Sequence, residues 1–223
     1  TLIPLDEVPQ VVKEATIAIE DGGFYQHRGI SFSGIARSLW RLIAYGRVEG
    51  GSTITQQLVK NALLSSERTM MRKIKEIALA LMVETRFSKD EILQMYLNEV
   101  GYGGATYGIE EASQYYFGKS ARSLNLSEAA LLAGLPASPT TYSPFGAHPQ
   151  LAKDRQELVL GRMVEAGFIS QEEASQAKQE ELEYATIKEP ILAPHFVMYV
   201  KEQLVDMFGQ KKVEQGGLKV TTT

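Results

Sequence analysis

Glu20-Asp21-Gly22-Gly23-Phe24-Tyr25-Gln26-His27-Arg28-Gly29 sets two adjacent carboxylates at the end of an amphipathic helix, where local electrostatics disfavour them. Upstream, Val8, Val11, Val12, Ala15 and Ile19 recur at helical spacing, and Pro9 suits a first helical turn. Glu20 and Asp21 then fall at the negative end of the macrodipole, and Gly22-Gly23 read as the helix stop. That dipole end and the apolar neighbours Ile19 and Phe24 both raise a carboxylate pKa. A carboxylate so placed is a candidate general base, since a broken local rule often marks a functional position. The plain alternative is a solvated Glu-Asp pair at a helix end. For a lone pair of acids that reading is favoured, and the rest of the chain reverses it.

Outward from this helix, most of the chain keeps the helical period. Helices are expected over 33–45, 53–64, 69–86, 89–100, 108–117, 127–134, 150–165 and 171–182, which makes the fold mainly α. Ser88-Lys89-Asp90-Glu91 and Ser170-Gln171-Glu172-Glu173 fit the capping box, and Gly167 is a sensible C-cap. Pro136, Pro139, Pro144 and Pro149 punctuate a loop. From Ile187 the texture changes. Pro190 and Pro194 mark a break, 195–208 reads as another helix, and 218–222 reads as a strand. The expected organisation is one domain over 1–186 and a connector over 187–223. Neither end reads as a natural terminus: Thr1-Leu2-Ile3-Pro4 lacks an initiator Met, and Leu218-Lys219-Val220-Thr221 resembles an unfinished strand. A piece of a longer protein is therefore expected.

Composition narrows the function classes. The chain has 223 residues, 44% of them hydrophobic and 22% charged, which suits a globular fold with a sizeable core. The net charge of −4 argues against a nucleic-acid binder, which usually carries a basic excess. Without cysteine, neither disulfides nor thiol catalysis is available. No apolar run is long enough to cross a bilayer.

Two further runs carry chemistry. Gly50-Gly51-Ser52-Thr53-Ile54-Thr55-Gln56-Gln57-Leu58-Val59-Lys60-Asn61 opens a helix with glycines and hydroxyls, a candidate anion cradle. It lacks the Gly-Lys-Ser/Thr of a Walker loop, and Ser52 or Thr53 equally fits a plain N-cap. Gln57 and Lys60 share a helix face. In 68–83, Met70, Ile74, Ile77, Ala78 and Leu81 form one apolar face, and Leu79 and Val83 extend it, so burial is expected. Arg72, Lys73 and Glu76 lie on the less apolar side. At a surface such an ion pair contributes only a few tenths of a kcal/mol, whereas buried charges need partners or a charged ligand. Lys60, Arg68, Arg72 and Lys73 gathered around one carboxylate would suit a pyrophosphate leaving group.

Taken in order, the motifs Glu20-Asp21-x-x-Phe24-x-x-His27-x-Gly29, Gly50-Gly51-Ser52-Thr53-Ile54-Thr55-Gln56-Gln57-Leu58-x-Lys60-Asn61, Arg72-Lys73-x-x-Glu76, Lys89-x-Glu91-Ile92-Leu93-x-x-Tyr96-Leu97-Asn98 and Glu128-Ala129-Ala130-Leu131-Leu132-Ala133-Gly134-Leu135-Pro136 resemble the five motifs of the peptidoglycan glycosyltransferases (glycosyltransferase family 51). The tail resembles the connector to the transpeptidase domain of class A penicillin-binding proteins. The resemblance implies a lysozyme-like, mainly α fold with head and jaw lobes around an extended cleft. It implies polymerisation of lipid II into β-1,4-linked glycan on the outer face of the bacterial cytoplasmic membrane, with an N-terminal membrane anchor outside this chain. By the same resemblance Glu20 is the base. Glu76 supports the pyrophosphate end, through a divalent cation such as Mg or Mn in one version. Lys60, Arg68, Arg72 and Lys73 bind pyrophosphate, while Ser52 and Gln57 line the donor site. Lipid II, the growing strand, the membrane surface, moenomycin-type inhibitors and a tethered transpeptidase domain are the implied partners, with no nucleic acid.

Other patterns are read as structural. His27 is expected to be a satisfied histidine rather than a metal ligand. Ser175-Gln176-Ala177-Lys178 matches Ser-x-x-Lys without its partner motifs, and Asn125-Leu126-Ser127 matches a glycosylation sequon by accident. Tyr96, Tyr102, Tyr107, Tyr115 and Tyr116 suit packing more than sugar stacking. The 33–45 helix, with Trp40, Arg37 and Arg41, suits either a core or a headgroup surface. Two rivals remain open: a lysozyme-like glycan-cleaving enzyme, for which the cations would be idle, and a non-catalytic membrane or scaffold module.

Overall fold

Capped amphipathic segments build almost the whole of the described chain. The computed structural model describes residues 1–32, 34, 36, 51–64, 69–104, 106–185, 194–209, 213, 220 and 221. Two compact units divide it, Thr1–Tyr184 and Ala185–Thr223. In the first, a 3-10 turn at Leu5–Glu7 leads into α1 (Gln10–Glu20), followed by α2 (Ile54–Leu63), α3 (Met70–Arg86) and α4 (Lys89–Glu99). An antiparallel pair, β1 (Gly101–Gly103) and β2 (Thr106–Tyr107), precedes α5 (Ile109–Phe117), α6 (Leu126–Gly134), α7 (Pro149–Glu165) and α8 (Gln171–Gln179). The second unit contains α9 (Pro194–Phe208). The class is mainly α, as the periodicity predicts.

The caps explain why the helices begin where they do. Ser88 with Glu91 and Ser170 with Glu173 form reciprocal capping boxes, and so do Thr53 with Gln56 and Asn125 with Glu128. Each satisfies two otherwise orphaned N–H groups. α8 stops at Gln179, short of the expected 182, because Glu180, Glu181 and Glu183 would stack acids on the negative end of the dipole.

α1 lies between two apolar clusters. Val12 and Ile17 join Phe24, Ile54, Leu58, Ile92, Leu93, Tyr96 and Leu97 in one. Ala15 joins Ala130, Ala133, Val159, Leu160 and Met163 in the other. α6 is buried from Ser127 to Gly134, and its alanines let α1 and α7 approach closely. Each fully buried Leu or Ile contributes about 1.5–3 kcal/mol of transfer free energy. The one buried amide of α7, Gln156, donates to the Ser127 carbonyl and hydroxyl, both at 2.8 Å. A helix held on both flanks in this way fixes the position of its last residue, Glu20.

Three expectations change. α3 is not buried by its apolar face: Met70 is 82% exposed and Ile74 58%, whereas Glu76 is 2% exposed. The periodicity shows that a helix forms, but paired charges turn inward and the methionines turn outward. The β1–β2 hairpin escapes sequence reading, because three- and two-residue strands leave no alternation to see. Val220 and Thr221 have no strand geometry, and the rest of 218–222 lies outside the described residues. The 33–45 helix, apart from helical Gly34 and Ala36, also lies outside them.

Candidate active site

The two acids that end α1 have separate surroundings. Asp21, the C-cap, is buried, and its Oδ2 accepts the Ile54 N–H at 3.1 Å. Its two oxygens also meet His27 Nε2 at 2.8 and 2.9 Å. Asp21 thereby ties the end of α1 to the first turn of α2. The anion at that helix N-terminus is thus the protein's own Asp21, and Thr53 supplies the cap. Gly50 of the expected cradle lies outside the described residues; next to Gly51-Ser52-Thr53, the first helical N–H, that of Ile54, is already used by Asp21 rather than left for a ligand.

Glu20 has a different environment. Its Oε2 accepts from Gln57 Nε2 at 2.7 Å, and its Oε1 is buried without a hydrogen-bond partner among the described residues. Burial raises its pKa, opposed by the Gln57 hydrogen bond and the charges of Arg155 and Lys60, with Asp21 adding to the rise. The sequence traces the shift to the helix dipole and apolar neighbours. Desolvation of the carboxylate is the leading cause in the structure.

Glu76 sits one helix away, on α3. It pairs with Lys73 and, at 3.4 Å, with Arg72. Lys73 also donates to Ser52 Oγ at 2.9 Å, which links α3 to the segment before α2. Lys60 lies within electrostatic reach of both carboxylates. Partial burial lowers its pKa, Arg72 and Lys73 push the same way, and the charges of both Glu76 and Glu20 oppose them. Ser52, Gln57, Lys60, Arg72, Lys73 and Glu76 therefore gather in one region with Glu20, although Gln57 touches the carboxylate itself. Arg68 lies outside the described residues. A resident divalent cation does not fit this charge set. Both Glu76 oxygens are paired with cations, Lys60 is close enough to add a third positive charge, and no group of three or more acidic or histidine side chains assembles among the described residues.

Two neighbours of Glu20 escaped the sequence. Arg155 of α7 reaches the site because Gly134 has no side chain. A Cβ there would meet Arg155 Cγ at 2.8 Å, whereas Arg155 Nε donates to the Gly134 carbonyl at 3.2 Å. Its guanidinium also lies over the Tyr142 ring, 5.3 Å from the centroid. Tyr96 of α4, fully buried, donates to Gln57 Oε1 at 3.3 Å. Nothing in periodicity separates Arg155 from a surface cation. Tyr96 is inside a quoted motif, but only its type was legible, not its partner. His27, expected to be satisfied, pairs with Asp21 through Nε2, but its Nδ1 is buried without a hydrogen-bond partner among the described residues. The Ser-x-x-Lys and sequon patterns have structural partners. Ser175 donates to the Gln171 carbonyl, and Asn125 caps α6 and donates to Glu180.

The transglycosylase family model matches residues 1–164. Penicillin-binding protein 1F of Bacillus subtilis is 46% identical over 79% of the chain and 25% of its own length. Penicillin-binding protein 1A of Aquifex aeolicus is 42% identical over 99% of the chain and 30% of its own length. The crystal structure of penicillin-binding protein 1A from Haemophilus influenzae superposes with a TM-score of 0.53 at 25% identity, over 96% of this chain and 22% of that one. The chain spans less than a third of the length of these relatives. It belongs to the transglycosylase family, the peptidoglycan glycosyltransferase domain of class A penicillin-binding proteins.

Proposed function

We propose that this chain polymerises lipid II into β-1,4-linked glycan strands by inverting glycosyl transfer, with release of undecaprenyl pyrophosphate. The observation that carries this reading is the set of contacts linking α2 to both carboxylates: Gln57 donates to Glu20, Lys73 joins Ser52 to Glu76, Arg72 pairs with Glu76, and Lys60 lies within electrostatic reach of Glu76 and Glu20 alike. A lone buried carboxylate and a cation cluster thus belong to one site. In the proposed step the acceptor sugar's 4-hydroxyl gives its proton to Glu20 Oε1. The oxygen attacks the anomeric carbon of the growing strand from the face opposite the pyrophosphate. The bond from that carbon to the phosphate oxygen breaks, and the pyrophosphate leaves with the electron pair. Lys60, Arg72 and Lys73, with Arg68 from the expected set, meet the developing charge. Glu76 holds Lys73 and Arg72 in place rather than touching the reacting atoms, and Ser52 steadies Lys73. A glycan-cleaving enzyme has no leaving group that needs these cations.

We place the reaction at the extracytoplasmic face of the bacterial cytoplasmic membrane. The outward apolar side of α3, with Met70, Met71, Ile74 and Met82 more than half exposed, supports a lipid-facing surface. Moenomycin-type inhibitors and a tethered transpeptidase domain remain part of the proposal. No helix among the described residues is long and apolar enough to cross a membrane. Incubating the purified chain in detergent with labelled lipid II tests the reading. Long, muramidase-sensitive glycan from wild type and none from Glu20→Gln is expected. Polymer from both would remove Glu20 from the chemistry.

A further inference from the structure

Glu20 as the base, which is the reading proposed above, raises a question of geometry: a carboxylate has two oxygens, and only one receives the proton. Gln57 Nε2 occupies Oε2 at 2.7 Å, and Oε1 is left buried and without a partner among the described residues. A primary amide can present either end. If the Gln57 oxygen faced Glu20, the ionised carboxylate would meet an acceptor, and only protonated Glu20 could make that bond. The orientation of one amide therefore biases the ionisation of the base.

Tyr96 supplies the missing constraint. Its hydroxyl is fully buried and donates to Gln57 Oε1 at 3.3 Å. Burial holds the phenol well above its ordinary pKa, helped by the charges of Glu20 and Tyr102, so it remains a donor. Flipping the amide would turn the NH₂ toward Tyr96 and leave the phenol proton without its acceptor, a costly loss in a buried site. We propose that Tyr96 is a positioning residue: its hydroxyl fixes the Gln57 amide so that the NH₂ faces Glu20 and Oε1 alone serves as proton acceptor. The relay Tyr96–Gln57–Glu20 spans α4, α2 and the end of α1, three elements of one apolar cluster. It keeps a buried base ionised without placing another cation against it.

Other groups facing Glu20 are Arg155 from α7, Lys60 from α2, the adjacent Asp21 and Tyr102 from β1. None of them changes in Tyr96→Phe, which removes one hydroxyl and keeps the ring. The test follows the Glu20 carboxyl directly, by NMR titration of the chain with labelled glutamate side chains, assigned with Glu20→Gln. Tyr96→Phe should raise the Glu20 midpoint by on the order of one pH unit. The acid limb of kcat should move with it, and KM for lipid II should stay within about twofold because no substrate contact is lost. In a Gln57→Leu background, Tyr96→Phe should add no further shift, since the relay is already cut. An unmoved midpoint, or the same shift in the Gln57→Leu background, overturns the proposal. A midpoint that moves in a chain making no glycan supports the relay and contradicts the transferase reading.

Discussion

Glu20 and Glu76 are the same side chain in two opposite settings. Glu20 receives one neutral amide donor and keeps one oxygen without a partner among the described residues, and burial raises its pKa. Glu76, 2% exposed, has a cation on each oxygen. The first arrangement leaves a carboxylate basic and reactive. The second spends the carboxylate on holding two cations together. Burial alone therefore does not make a base; the partners decide what the buried charge can do.

The largest effect should come from Glu20→Gln. It should lower kcat by about 10²–10⁴-fold, the usual contribution of a general base. Stability should move the other way. The folded-state pKa of Glu20 is raised, so its favourable contribution is fully present below the ordinary carboxylate range and lost as pH rises through the raised value. At neutral pH the neutral amide should thus unfold no earlier than wild type, as thermal melts will show. Catalysis has the opposite sign, since rate should fall as pH drops through that same pKa.

Lys60→Ala should come next. One lost charge-assisted contact to the leaving group should reduce kcat/KM by about 10–100-fold. Because the Lys60 residue as a whole stays accessible and its ammonium is only partly buried, the melting temperature should change far less than turnover. Equal losses of turnover and stability would make it a structural lysine. Glu76→Gln should cut both at once, with activity down several-fold and stability lower by about 1–2 kcal/mol in denaturant titrations. That is less than a fully buried pair would lose, because Lys73 stays 40% exposed. If Glu76→Gln instead abolished turnover with stability intact, the contrast between base and organiser would fail. The smallest effect is expected at α3. Replacing Met70 and Ile74 with Ser should change stability by less than about 0.5 kcal/mol and weaken binding to lipid vesicles.

What the sequence could show follows from how each residue acts. Capping boxes are local, so Ser88 with Glu91 and Ser170 with Glu173 were legible and form as written. Glu20 was legible because it breaks a helix-end rule that needs no tertiary knowledge. The orientation of α3 was not, since its apolar stripe and its charged stripe both have helical period, and only neighbours decide which turns inward. Arg155 depends on Gly134 and a close crossing of α6 and α7, a contact between distant positions. The Tyr96–Gln57 bond joins two helices that no spacing rule connects.

The central claim is that a lone base and a cation clamp form one site for transfer rather than cleavage. One preparation of the chain, given labelled lipid II in one vessel and purified sacculi in another, tests it most directly. Release of undecaprenyl pyrophosphate from lipid II, with no soluble muropeptides from sacculi, is the predicted result. Muropeptide release without pyrophosphate would contradict the account and show that the cations serve no leaving group.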